Sequence, residues 1–279
     1  MSPDFTTSPT VSIVIGARNA ATTLSATLDS VLAQSMADWE CIVVDDGSTD
    51  ETGDIIREFA ARDPRVRFIT LEANAGLTRA LKRGVDEARG LWLARIDAGD
   101  TWHPAKLARQ LAYCAAHPDT GLIGCWSEDT NRQTGAVVVK RKPVEHDAIA
   151  SALPRFCPFI HSTIVVRLDC LRACGGYDPA FPYAQDYDLY FRLLECTRGH
   201  NLPEPLCQRS THEFSAISYA RWKPQLRCSL AIRWKYHRLH RRPWHELMHL
   251  VPDMLRLLVP ASFKGLKQRL GSQRHAREA

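Results

Sequence analysis

Apolar runs of strand length alternate through the first half of the chain with segments whose apolar positions recur every three or four residues. Val11–Gly16 is β-branched and short, and Leu24, Leu28, Val31 and Leu32 then recur at helical spacing within Ala20–Gln34. Cys41–Val44 reads as a second strand, followed by a helix carrying Ile55, Ile56 and Phe59 that Ser48 or Thr49 can cap. Val66–Leu71 and Leu91–Ile96 continue the strands, with a helix over Gly76–Ala88 between them. Pro104 suits the first turn of a helix reaching His117, and Leu122–Trp126 is a fifth strand. Such alternation predicts an α/β fold around a mostly parallel, doubly wound sheet.

Beyond Trp126 the alternation fades. Val137–Lys140 and Ser162–Arg167 have strand character, and Tyr187–Glu195 has helical character. This half reads as the second part of the same domain. From Tyr219 the chain turns basic and aromatic, with Trp222, Trp234, Tyr236 and Trp244 set among the charges.

Charge sharpens that division. The net charge is +5, but from Arg221 onward 14 Lys and Arg face three acids, so this tail carries +11 and the preceding residues −6. Two other pieces, Leu247–Val251 and Leu255–Val259, are apolar and broken by Pro252 and Pro260. A basic, aromatic helical extension can lie on an anionic membrane surface, or it can be a solvated cationic helix pair packed on the domain. No nucleic-acid recognition motif accompanies the charge. Nine cysteines without a CxxC pair fit small buried hydrophobes in a reducing compartment, and Cys170 and Cys174 lack the partners of a zinc site. The start, Met1-Ser2-Pro3-Asp4, lacks signal-peptide regions, and no apolar run approaches the ~20 residues of a membrane span. The expected location is therefore cytoplasmic, peripheral at the inner membrane face if the tail binds lipid.

Two strand ends carry candidate chemistry. Ile42-Val43-Val44 runs into Asp45-Asp46-Gly47-Ser48-Thr49-Asp50, and Arg95-Ile96 into Asp97-Ala98-Gly99-Asp100. In an open parallel sheet ligands collect beyond the carboxyl ends of the strands, so two acidic ends can meet in one crevice. Hard divalent cations use few carboxylates plus substrate phosphates, which fits Asp97 and Asp100. Arg95 can hold one of these carboxylates in place. A lone Asp-Gly is as often a plain turn. The first turn, Gly16-Ala17-Arg18-Asn19-Ala20-Ala21, is no G-x-G-x-x-G, and a Walker loop is absent, which removes the main signals for dehydrogenases and P-loop enzymes.

Taken in order, Val11–Ile15 with Asn19, Val44–Asp50, Asn74-Ala75-Gly76-Leu77, Arg95–Asp100 with Pro104, Gly175-Gly176-Tyr177-Asp178 and Gln185-Asp186-Tyr187-Asp188-Leu189 resemble the family 2 glycosyltransferases of bacterial surface-polysaccharide synthesis. The resemblance runs from Val11 to Ser218 and implies a GT-A fold. It implies a domain over residues 1–218, with a nucleotide-sugar half at 10–126 and an acceptor half at 127–218, and a basic helical extension at 219–279.

The resemblance also implies roles. Asp46 matches the carboxylate that binds the nucleobase, commonly uracil, with Ala17 near the base. Asp97 matches the start of the D-x-D motif for Mg2+ or Mn2+. Its third position here is Gly99, so Asp100 is the other candidate metal ligand. Asp186 matches the general base that takes the acceptor's proton in an inverting transfer. Its usual Glu neighbour is Gln185 here, and the bland reading of Asp186 is a helix N-cap. Asp188 reads as structural. His161 lines the acceptor pocket or is a satisfied structural histidine, and His212 is a third candidate near metal or diphosphate. Trp102 reads as core. The implied partners are a nucleotide-sugar donor, UDP-linked by preference, and a saccharide or lipid-linked acceptor. Gly99 and Gln185 keep open a non-catalytic GT-A module that binds a nucleotide or a partner, and a nucleotidyltransferase is a further alternative.

Overall fold

The structure, a computed structural model, describes residues 8–211, 216–239 and 248–258. The chain divides into two compact units between Ser215 and Ala216.

In the first unit, β1 (Val11–Ala17), α1 (Leu24–Leu32), β2 (Trp39–Asp45), α2 (Thr52–Arg62), β3 (Val66–Thr70), α3 (Leu77–Glu87) and β4 (Trp92–Arg95) form the expected alternation. β1 pairs in parallel with both β2 and β4, and β2 with β3. There follow β5 (Thr101–Trp102), α4 (Lys106–Ala116), β6 (Thr120–Asn131), β7 (Val137–Lys140), α5 (His146–Ala152), a 3₁₀ turn (His161–Thr163), β8 (Val165–Arg167), α6 (Leu168–Ala173), α7 (Gln185–Leu193) and β9 (Arg198–Thr211). The strand order is β3-β2-β1-β4-β8-β6-β9-β5, with β7 paired to β6.

Beyond β4 the sheet is mixed. β8 runs antiparallel to β4 and β6, β5 to β9 and β7 to β6, while β6 and β9 are parallel. The antiparallel pairs arise because this half no longer returns each strand through a crossover helix. The long β9 escaped the sequence pattern because Pro203 and Pro205 interrupt it. Opposite them the β6–β9 register shifts around Trp126, so the prolines sit at a bulge, where a missing ladder donor is tolerated.

Pleating sets the layers. Val11, Ile13 and Ile15 join Leu24, Leu28, Val31, Ile56 and Phe59 in one core of buried residues. The opposite face of the sheet takes α3, which comes close through Gly84: a Cβ there would lie 2.5 Å from Val14 Cγ1. A buried polar knot ties this half together. Glu40 accepts from Ser12 Oγ (2.8 Å), the Arg89 amide (2.9 Å), Arg89 Nη2 (2.7 Å) and Arg67 Nη1 (2.7 Å). Burial pushes its carboxyl up, but these hydrogen bonds outweigh that and hold it below the ordinary value.

The second unit contains α8 (Ala216–Leu239), a 3₁₀ turn over 248–250 and α9 (Val251–Leu258). Pro252 does not break the apolar segment; it stands in the first turn of α9, where its missing N–H costs nothing. Arg233 Nη2 donates to Asp253 Oδ2 (2.9 Å), joining α8 to α9. His212, Arg241, Arg242, Trp244 and Val259–Pro260 lie outside the described residues. Among the described residues no helix is long and apolar enough to cross a membrane.

Candidate active site

The strand order reverses direction at β1, which has β2 on one side and β4 on the other, and the loops beyond their carboxyl ends are where such a sheet places its ligand crevice. Ala17 closes β1, is buried, and its carbonyl accepts the Asp46 N–H (2.8 Å). Asn19 follows with φ 49°, a left-handed conformation that an Asn side chain tolerates. Its Oδ1 accepts the Thr49 N–H (2.9 Å) and its own N–H donates to Ser48 Oγ (3.1 Å). Asn19 thus stitches the loop after β1 to the loop after β2.

Asp46 is buried, and both of its carboxylate oxygens accept backbone amides, Ala75 N–H at 2.6 Å and Gly76 N–H at 3.0 Å. Gly47 beside it has φ 65°, and a Cβ there would lie 2.7 Å from the Asn74 nitrogen. Asp46-Gly47 and Ala73–Gly76 are therefore locked together. Neither Ser48 nor Thr49 caps α2; Asp45 accepts Ser48 N–H (3.0 Å) and Asp50 accepts Thr52 N–H (3.1 Å) instead.

At the end of β4, Arg95 is fully buried and donates through Nη2 to Asp97 Oδ1. Among the described residues its Nε and Nη1 have no partner. Asp97 Oδ2 accepts Ser162 Oγ–H (2.8 Å), and the Asp97 N–H donates to Ser162 Oγ (3.1 Å). Enclosure pushes the Asp97 carboxyl up, but the Arg95 guanidinium prevails and holds it well below the usual range. Asp100 is buried, with Oδ2 3.7 Å from Arg209 Nε. Burial first, and then the charge of Asp97, push its carboxyl up to about 6. Gly99 between them has φ 115°, and its N–H donates to Thr27 Oγ1 (2.9 Å).

Asp186 and His161, expected on the acceptor side, lie near Asp97 and Arg95, whose charges act on both. Asp186 stands in the first turn of α7 but does not cap it; the N-cap is Ala184, with φ 56° and no side-chain cap bond. Burial raises the Asp186 carboxyl above its ordinary value, and the negative charge of Asp97 adds to that. Cys157 Sγ lies 3.8 Å from Asp186 Oδ2. His161 Nε2 is hydrogen-bonded to Tyr177 Oη (2.7 Å), and burial together with the Arg95 charge takes its pKa down to about 3, so the imidazole is neutral at pH 7. Asp188 is fully buried and accepts Arg192 Nη2 (2.7 Å), a structural pair.

Sequence reasoning missed Ser162 and Arg209, which flank the two aspartates from β8's approach and from β9. Trp102 is buried, as its core reading requires, and its Nε1–H donates to Ser162 O (2.7 Å). Trp102 therefore also fixes the turn that carries His161 and Ser162. Of the sequence-derived residues, Ala17, Asn19, Asp46, Arg95, Asp97, Asp100, His161 and Asp186 all lie on these loops and strand ends, whereas His212 is not described.

The donor set suits a hard divalent cation. Two carboxylates close enough for one to raise the other's pKa form an electrostatic strain that a cation relieves. Among the described residues no group of three or more His, Cys, Asp or Glu could hold a metal ion, so such a cation would depend on this pair and on substrate phosphates.

The parallel half with its acidic strand ends and the mixed half beyond it together have the GT-A fold, as superposition on solved GT-A structures shows. The sequence model of Glycosyl transferase family 2 matches residues 12–165, and the chain belongs to that family: it is a glycosyltransferase. A protein of Bacillus subtilis bearing the glycosyltransferase name EpsE is 28% identical over 264 residues, 91% of each chain. The S. aureus TarS structure with UDP-GlcNAc superposes with a TM-score of 0.65 at 17% identity, over 80% of this chain and 66% of that one. The mannosyltransferase PcManGT of Pyrobaculum calidifontis, solved with GDP-Man and Mn2+, gives 0.64 at 18% identity, over 100% of this chain and 78% of that one. At these identities the solved structures speak for the fold.

Proposed function

We propose that the chain transfers one sugar, with inversion, from a UDP-sugar to a saccharide or lipid-linked acceptor in surface-polysaccharide synthesis, with residues 1–218 as the transfer domain and 219–279 as its extension. The observation that carries this reading is the meeting of a carboxylate with a raised pKa, Asp186, with the charged Asp97–Arg95 pair at one crevice. A general base needs a pKa nearer the working pH than an ordinary aspartate has, and burial supplies that shift. Asp186 accepts the proton of the acceptor hydroxyl as its oxygen bonds to the anomeric carbon. The bond from that carbon to the diphosphate breaks on the opposite face, and the electron pair leaves with the diphosphate.

The remaining residues position the reactants. Asp97 and Asp100 would hold Mg2+ or Mn2+, which when bound neutralises charge on the leaving diphosphate. Arg95 keeps Asp97 ionised and oriented, and Ser162 fixes the second oxygen. Asp46, expected to bind the nucleobase directly, has both carboxylate oxygens engaged by the Ala75 and Gly76 amides, so it shapes the base pocket by fixing the Ala73–Gly76 loop, and Asn19 joins the two loops that flank it. The neutral His161, held by Tyr177, lines the acceptor side as a hydrogen-bonding group without charge.

The test is Asp186→Asn with a panel of UDP-sugars and Mn2+. Turnover should fall roughly 10²–10⁴-fold while UDP binding measured by calorimetry stays within about twofold. Normal turnover would remove Asp186 from the role of base. A parent enzyme that binds UDP but neither transfers nor hydrolyses any donor would instead favour the non-catalytic module that Gly99 and Gln185 suggest.

A further inference from the structure

The second unit presents an apolar surface that its own helices do not bury. On α9, Val251, Met254, Leu255 and Leu258 are spaced i, i+3, i+4 and i+7, one stripe of a helix, and are 39%, 56%, 58% and 77% exposed. Met248, one turn earlier, is also exposed. Scattered exposed aliphatics are ordinary, but a contiguous stripe of this kind marks a surface that meets something apolar. The orientation of α9 is fixed from another side. Asp253, half-buried, accepts Arg233 Nη2 from α8 (2.9 Å) and Arg256 Nη1 (3.1 Å), and Leu250 just before the helix is buried.

Charge chooses the partner. The stripe is flanked by the exposed Arg256, and the exposed positions of α8 include Arg227, Lys235 and Arg238, together with Trp234 and Leu239. From Arg221 onward the sequence carries a net +11. The same surface of a second copy would bring the same positive charge to the contact and be repelled. An anionic bilayer offers both an apolar layer for the stripe and countercharges for the cations. Exposed tryptophan beside lysine and arginine belongs at that boundary. The eight residues of α9 are far too few to span a bilayer, so the helix would lie in the interface plane.

We propose that α9 is a membrane-docking helix: Val251, Met254, Leu255 and Leu258 enter the acyl boundary of an anionic phospholipid surface while Arg256, Lys235 and Arg238 meet its headgroups. This rests on the second unit alone and does not depend on the transfer reading.

The experiment is flotation of the full-length chain with vesicles of phosphatidylglycerol and phosphatidylethanolamine, and with vesicles of phosphatidylcholine alone. The parent should float with the anionic vesicles only, and high salt should weaken but not abolish binding, because the apolar part is not screened. Leu255→Glu/Leu258→Glu should lower partition at least about tenfold, and Lys235→Glu/Arg238→Glu should lower it with a reduced salt dependence. Melting temperatures and far-UV circular dichroism matching the parent show that each variant is folded. The proposal is overturned if the parent ignores anionic vesicles, or binds both kinds equally. It is also overturned if sedimentation shows a dimer that Leu255→Glu/Leu258→Glu dissolves without any vesicle binding. Should the α9 variant melt lower, the α8 charge reversal decides by itself: unchanged flotation overturns the proposal.

Discussion

Replacing Gly99 by Asp would restore the carboxylate that the D-x-D pattern lacks, and the structure indicates that this restoration fails. Gly99 has φ 115°, where an L side chain is strained whatever the room around it. Room exists: a Cβ would find Thr23 Oγ1 at 3.5 Å, an ordinary contact. The cost is thus conformational rather than steric, about 1–3 kcal/mol for a residue held in a sparsely populated backbone region. Relaxation is opposed by Thr27, whose Oγ1 accepts the Gly99 N–H (2.9 Å) and donates to the Asp100 carbonyl (2.8 Å). At about 2–4 °C per kcal/mol for a chain of this size, Gly99→Asp should melt roughly 2–12 °C below the parent. Gly99→Ala should pay the same conformational cost without the charge. The assay pairs thermal melting with Mn2+ titration of the UDP complex. An aspartate variant that melts with the parent and binds Mn2+ more tightly would refute the reasoning, since the glycine would then be dispensable and only a carboxylate missing.

Other predictions probe the base and the fold. Because burial raises the Asp186 carboxyl, the acid limb of the pH–rate profile should lie above the ordinary 3.8, with activity falling as pH drops through the raised value; Gln185→Glu should move that limb higher still by adding a negative neighbour, and an unmoved limb would separate Gln185 from the base. Glu40→Gln should cost about 2–3 kcal/mol by urea unfolding, less than a fully buried pair because Arg67 and Arg89 are 37% and 44% exposed and can turn to water. The Glu40 carboxyl is held below its ordinary 4.5, so its contribution is present above that pH and is lost as pH falls through the folded-state value; the parent but not Glu40→Gln should show that loss. Gly84→Ala should destabilise by roughly 1–3 kcal/mol, since the new methyl would sit 2.5 Å from Val14 Cγ1 and α3 would have to lift from the sheet; an unchanged urea midpoint would show that α3 has slack.

The parallel half was legible because β1, β2 and β3 are short, mostly apolar runs that each lead into a helix with apolar residues at helical spacing, and local pattern suffices for such units. The helix ends were less so: the segment expected over Ala20–Gln34 is helical only over Leu24–Leu32, because Asn19, Ala20 and Ala21 are drawn into hydrogen bonds with the Ser48–Thr52 loop. β9 was hidden by its two prolines, which a bulge accommodates only because β6 lies beside it.

The sequence by itself determined which residues are candidates for the chemistry: acidic groups at two strand ends, an Asp in the first turn of a late helix, and a glycine where the family pattern has a carboxylate. Only the tertiary structure decided their states. Ser162, 65 residues along from Asp97, takes one of its oxygens, and Arg209 from β9 faces Asp100. Arg95, buried beneath them, holds Asp97 ionised while burial and Asp97 together lift Asp100 to about 6. Those shifts depend on distance and desolvation between groups far apart in the chain, which no local pattern encodes. The same holds for α9: the sequence showed apolar pieces interrupted by Pro252, and only the structure joins Val251–Leu258 into one helix with an exposed apolar stripe and its other side tied to α8.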